Sequence, residues 1–134
     1  MKPKVVIVGG GPAGLFTALF LDTKLFDVTI IEKEKTIARK FLVAGNGGFN
    51  LSNHLPTNEL IKQYSPPLFL KPAITYFNNS NLQDFFDTIG IKTFVGSSGK
   101  IFPTPPTKPI EVIQAITKKT KTKRRFYHYP TKTN

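Results

Sequence analysis

Residues 5–14 read VVIVGGGPAG. A short β-branched run that stops in glycines, with a proline and an alanine behind them, leaves few options for the fold. Val5–Val8 has the composition of a buried strand. Pro12 stands where a first helical turn begins, a position that loses nothing by lacking an N–H. Ala13–Leu21 is almost wholly apolar and made of good helix formers, as in a helix covered on several sides. Asp22–Asp27 is a turn, and Val28–Ile31 is a second buried strand ending at Glu32. Strand, helix and strand within about thirty residues define a right-handed βαβ unit with parallel strands.

Gly9, Gly11 and Gly14 are a G-x-G-x-x-G set between that strand and that helix. Gly9 permits the tight turn off the strand. Gly11 lets an anion approach the backbone, and Gly14 lets the helix lie close to the sheet. With Pro12 and Ala13 they form the start of a helix whose free N–H groups and positive dipole end favour a pyrophosphate. Glu32 lies eighteen residues after Gly14. A carboxylate there accepts hydrogen bonds from both ribose hydroxyls of an adenosine and repels a 2′-phosphate, which disfavours NADP. The motif does not separate FAD from NAD, since both present an ADP half.

The rest of the chain is less regular. Residues 33–40 are polar and basic, and Phe41–Ala44 leads into a second glycine loop, AGNGGFN. A short helix is expected near Asn58–Tyr64 and a turn or two of helix at Ala73–Phe77, between the prolines at 66, 67 and 72 and the next segment. Ser80 with Gln83 has capping-box spacing. It opens a helix with Leu82, Phe85, Phe86 and Ile89 on one face, closed by Gly90. Ile91–Val95 and Lys100–Phe102 read as a hairpin, Pro103–Pro109 as a loop with four prolines, and Ile110–Thr117 as a helix.

The chain of 134 residues has no cysteine and two histidines, which excludes a disulfide scaffold, a thiolate metal site and a histidine-built zinc site. The net charge is +11, but residues 118–134 carry seven basic and no acidic side chains, leaving +4 for residues 1–117. The excess belongs to a tail and makes nucleic acid an unlikely partner of the fold itself. The tail has three readings: a solvated end, a base-stacking segment using Phe126, Tyr127 and Tyr129, or sequence out of frame with what precedes it. A strand signal there is weak and confined to Phe126–Tyr129. No apolar run reaches transmembrane length and no secretory signal follows MKPK, so the expectation is a cytoplasmic protein without membrane contact.

VVIVGGGPAGLFTALFL, VTIIEKEK, RKFLVAGNGGFNLSN, LQDFFDTIGI and GKIFP follow one another here with an order and spacing similar to those of a known family. The chain resembles the bacterial aminoacetone-oxidase-like FAD-binding flavoproteins, which are NAD(P)/FAD-dependent oxidoreductases of the glutathione-reductase structural type. The resemblance runs from residue 4 to about 117 and corresponds to roughly the first third of a typical member. It implies an α/β fold: the N-terminal part of a Rossmann-like FAD-binding domain, with an added hairpin and helices, and incomplete by itself. Residues 1–117 would be that part and 118–134 the basic tail.

By this resemblance Gly9, Gly11 and Gly14 belong to the ADP pyrophosphate loop, and Glu32 with Lys33 to the ribose end. Arg39 and Lys40 match an Arg-Lys pair ahead of the second loop. Gly45, Asn46, Gly47, Asn50 and Asn53 correspond to a loop along the flavin half of FAD. Where the family commonly has Gly-Gly-Gly-Arg-Cys-Asn, this chain has Gly45-Asn46-Gly47-Gly48-Phe49-Asn50. It thus lacks a cation and a thiol, and Phe49 is available to pack on an aromatic ring. The alternative reading is a loop that only turns the chain. FAD is the implied cofactor and NAD(P)H an electron donor. The substrate is a small molecule that the residues do not specify, no catalytic side chain is identified, and the missing C-terminal half of the enzyme is an implied partner. His54 reads as a loop histidine, and the Lys100–Pro103 edge equally as plain hairpin or ligand contact. The alternatives to a flavoenzyme portion are a dinucleotide-binding module without turnover and a basic nucleic-acid-binding protein.

Overall fold

A computed structural model describes residues 1–44, 49–120 and 125–128. Its elements in chain order are β1 (Lys4–Val8), α1 (Pro12–Phe20), β2 (Asp27–Glu32), α2 (Arg39–Ala44), β3 (Ser52–Asn53), α3 (Thr57–Lys62), α4 (Pro67–Tyr76), α5 (Asn79–Thr88), β4 (Thr93–Val95), β5 (Lys100–Pro103), α6 (Pro109–Thr120) and β6 (Arg125–His128). They fall into two units. One comprises Met1–Asn46 with Lys108–Asn134, the other Gly47–Thr107.

In the first unit the βαβ connectivity is as expected, but its cover is thinner than a buried strand and a helix covered on several sides would have: Val6 and Val8 of β1 are exposed, and α1 buries Leu15 and Ala18 on one face while Phe20 is exposed. β1 and β2 run parallel, with Lys4 opposite Asp27 and Val8 opposite Ile31. β2 is central, and its other edge pairs in parallel with β6, Ile30 opposite Phe126. Alternation decides which side chains of β2 enter the core: Val28 and Ile30 are fully buried, whereas Thr29 and Ile31 are half-buried. Leu15 and Ala18 of α1 are completely buried, as are Val112, Ile113 and Ile116 of α6, and the two helices pack on each other. Each buried Leu, Ile or Val side chain contributes about 1.5–3 kcal/mol by leaving water. Thr117 and Thr120 are also buried, and each hydroxyl donates to the carbonyl four residues back, of Ile113 and Ile116 respectively.

This unit departs from the sequence reading in two places. The helix expected over Ile110–Thr117 runs longer, from Pro109 to Thr120. The weak strand signal of the tail is realised at Arg125–His128, as a strand of the parallel sheet. A contiguous-segment reading has no means of supplying that pairing, because the partner strand lies almost a hundred residues upstream.

In the second unit β3, β5 and β4 form an antiparallel sheet in that order, with Phe94 opposite Phe102. Ile101 is fully buried, and Leu60, Ile61, Phe86 and Ile91 complete the core. The buried Asn79 is satisfied by donating its amide to the carbonyls of Asn53 and Leu55, both at 2.8 Å. The expected hairpin and the expected helix end are present. Gly90 is left-handed at φ +81°. The amide of Ile91 reaches the Phe86 carbonyl at 2.9 Å and that of Gly90 reaches Asp87 at 3.0 Å, a Schellman closure.

The start of that helix differs. Its cap is Asn78, whose side chain accepts from Ser80 and Asn81 while Asn81 returns a bond to the Asn78 amide. Gln83 instead donates to Thr93 Oγ1. Asn is as good a cap as Ser, and starting earlier adds helix. Likewise α4 begins at Pro67 and carries Pro72 inside, where only Ala73–Phe77 was expected to be helical. Pro67 occupies the first turn, which tolerates it, and the helix accepts the loss of one bond at Pro72.

Candidate functional site

The carboxyl end of β1 and the start of α1 build the site. Gly9 takes φ +104°, a conformation open to glycine, and its amide extends the strand ladder to the Ile31 carbonyl at 2.7 Å. Gly11 caps α1 in extended geometry and Pro12 is its first residue. A Cβ on Gly11 would meet nothing within 4 Å, whereas one on Gly14 would lie 2.0 Å from the Gly9 carbonyl oxygen. The two glycines thus serve different ends: Gly14 lets helix and loop touch, while Gly11 keeps an open space in front of the helix.

Glu32 closes the other side. Its Oε2 accepts the Gly10 amide at 2.7 Å and its Oε1 the Glu34 amide at 2.9 Å. The Glu34 N–H is the main influence holding the Glu32 carboxyl below its ordinary value of 4.5. Burial pushes the other way, and the Gly10 and Lys33 amides and the Lys33 ammonium reinforce the lowering. The group is therefore ionised at neutral pH, and with about four lone-pair sites on a carboxylate it keeps acceptor capacity after these two bonds.

A group with a lowered folded pKa stabilises the fold above its unfolded pKa, and that contribution is lost as pH falls through the folded value. Thermal unfolding of the wild type followed from about pH 6 down to about pH 3 should show a steeper loss below the ordinary carboxylate range than Glu32→Gln shows. Parallel curves would mean that the Glu32 bonds contribute nothing.

A cleft of about 830 Å³ lies between these elements, lined by the loop, the end of β2 and the first part of α2. Of the residues expected from sequence, Gly9, Gly11, Pro12, Glu32, Lys33, Arg39 and Lys40 line it. Ala13 and Gly14 are in the first turn of α1 behind it. Gly45, Asn46 and Gly47 lie outside the described residues. Asn50 and Asn53 belong to the second unit, where Asn53 pairs with Lys100 across β3 and β5 and His54 is exposed.

The cleft also takes in residues the sequence did not single out: Val8, Ile31, Glu34, Ala38 and Val43. Val8 is 85% exposed at the end of β1, where the sequence pattern of a buried strand gave no sign of it. Glu34 pairs with Arg39 at 3.1 Å across the exposed rim. Among the described residues no group of acidic, histidine or cysteine side chains is placed to hold a metal, and no helix is long and apolar enough to cross a membrane.

A parallel sheet, a glycine turn at a helix start and an acid at the end of the next strand together make this a Rossmann-type dinucleotide-binding domain of the flavoprotein oxidoreductase kind. The HI0933-like protein Rossmann domain matches residues 3–133, and the chain belongs to that family. The match extends through the basic tail, beyond the stretch on which the motif resemblance rested.

Among curated proteins, the chain is 31% identical over 99 residues to a ribosomal RNA dihydrouridine synthase of Haemophilus influenzae, covering 72% of this chain and 24% of that protein. It is 28% identical over 102 residues to a 3-dehydro-bile acid delta(4,6)-reductase of Clostridium scindens, covering 75% and 24% respectively. It is 28% identical over 96 residues to D-amino acid dehydrogenase 3 of Mesorhizobium japonicum, covering 65% and 23%. The chain thus spans about a quarter of the length of these relatives. The crystal structure of THI4 from Thermovibrio ammonificans shares the fold with a TM-score of 0.57 at 19% identity, over 95% of this chain and 38% of that one.

Proposed function

We propose that the chain is the FAD-binding portion of a flavin-dependent oxidoreductase and holds the ADP half of FAD at the glycine loop. The observation that carries this is the open space in front of Gly11 at the start of α1, facing an ionised Glu32 across a cleft large enough for a nucleotide. The first-turn amides of α1 bind the pyrophosphate. Glu32 accepts from the ribose hydroxyls, and Lys33, Arg39 and Lys40 place positive charge on the rim. Bound FAD would supply the hydride or electron transfer, with NAD(P)H as donor and a small organic molecule as substrate. The loop through Gly45, Asn46, Gly47, Asn50 and Asn53 lies along the flavin half in this reading, and the remaining wall comes from further chain of the enzyme. The cytoplasm, with its pool of reduced nicotinamide, is the setting it suits.

The cofactor preference is tested by thermal shift. FAD should raise the unfolding temperature more than NAD at equal concentration. A ligand at one hundred times its Kd adds about 2.7 kcal/mol, well within reach of the method. Greater stabilisation by NAD would favour a dehydrogenase-like module. FAD uptake without NADH oxidation would favour a binding module.

One observation favours a second reading of the substrate. A relative at 31% identity is named as an enzyme of ribosomal RNA, and this chain carries a net charge of +11. If RNA is the substrate, retention on an RNA column should fall steeply with salt, and replacing Lys118, Lys121 and Lys123 by Gln, which leaves α6 and β6 in place, should weaken it.

A further inference from the structure

Gly10 and Ala38 are joined by a hydrogen bond that none of the expected site residues explains. The Ala38 amide donates to the Gly10 carbonyl at 2.9 Å, while the Gly10 amide donates to Glu32 at 2.7 Å. The peptide units around Gly10 are thereby held from both ends. Gly10 is also tightly enclosed, since a Cβ there would come within 3.1 Å of the Ile37 side chain and 3.2 Å of Glu32 Oε2.

Ala38 itself has φ +55°, and among the described residues it is the one non-glycine with positive φ. Alanine resists that conformation because its Cβ crowds the following carbonyl. It is only 3% exposed, and its own carbonyl accepts the Leu42 amide at 3.1 Å, so it is the residue from which α2 departs. The reversal at Ala38 directs Arg39, Lys40 and Val43 to one wall of the cleft.

Given the dinucleotide reading above, we propose that Ala38 is a positioning residue for the site. Its left-handed turn clamps the glycine loop at Gly10 and sets α2 with Arg39 and Lys40 against the nucleotide. A residue that merely filled space there would need neither the strained backbone nor the bond to Gly10.

The test compares wild type, Ala38→Gly and Ala38→Val by calorimetric titration with ADP and by thermal unfolding. Glycine adopts the turn freely and keeps the amide bond, so Ala38→Gly should bind ADP within about twofold of wild type. A β-branched residue is excluded from the turn, so Ala38→Val should bind ADP more than about tenfold more weakly while retaining its α/β circular dichroism. Equal ADP affinity in a folded Ala38→Val chain would overturn the proposal and leave the dinucleotide reading intact. So would an Ala38→Gly chain that folds but binds ADP more than about tenfold more weakly, which decides the matter even if the valine variant does not fold. A wild-type chain that takes up no ADP would remove both the proposal and the reading beneath it.

Discussion

Gly14→Ala should destabilise the first unit by at least about 3 kcal/mol, at or beyond the upper end of ordinary overpacking costs. Helix propensity alone argues the reverse, since alanine is favoured over glycine inside a helix by about 1 kcal/mol. Sterics decide. The new methyl would sit 2.0 Å from the Gly9 carbonyl oxygen, 3.2 Å from its carbon and 3.3 Å from Ile7 Cγ2. The nearest of these is backbone, held in place by the Gly9 amide bond to Ile31, and it has no rotamer by which to withdraw. Relief would require α1 to move off the sheet, uncovering Leu15 and Ala18. Against a typical total stability of about 5–15 kcal/mol, such a change is large. Urea unfolding of the two proteins measures it, and a variant at least as stable as wild type would refute the close packing of loop and helix.

Gly11→Val should do the opposite: the fold survives and binding is lost. Gly11 has φ −72° and ψ 178°, extended backbone that any residue adopts, and its Cβ direction is open. Gly11 lines the cleft, so in the proposed reading valine methyls there would obstruct the pyrophosphate at the helix start. Displacing the anion from the first-turn amides should weaken ADP or FAD by more than about a hundredfold, some 2.7 kcal/mol. Calorimetry with an unchanged unfolding midpoint is the expected result. An unchanged affinity would show that the phosphates are held elsewhere. The pair of glycine variants therefore separates a packing role at Gly14 from the proposed ligand contact at Gly11, although the motif writes both with the same letter.

That contrast shows what the sequence could convey. Val5–Val8, the glycine spacing and Glu32 specify β1, α1 and β2 because each signal is local and chemically particular: β-branched residues, a helix-start proline, an acid at a strand end. Gly90 announced its helix end for the same reason. α4 was obscured because prolines at 66, 67 and 72 read as breaks, and only the structure shows that one falls in a first turn. The place of β6 beside β2 depends on pairing across the length of the chain, and neither composition nor periodicity carries it. Of the residues lining the cleft, Gly9, Gly11 and Glu32 were legible. Ala38 was not, since alanine has no signature of a left-handed backbone. Glu34 and Val43 join the cleft through the course of the chain after β2, which residues 33–40, being merely polar and basic, did not disclose.

The most direct test of the central claim is an amide NMR titration of the ¹⁵N-labelled chain with ADP, the part common to FAD and NAD. The account predicts concentrated shifts at Gly9, Gly10, Gly11, Ala13 and Gly14, with Lys33 and Glu34 beside the ribose acid, and loss of those shifts in Gly11→Val. Shifts confined to other residues, or none at millimolar ADP, would contradict it.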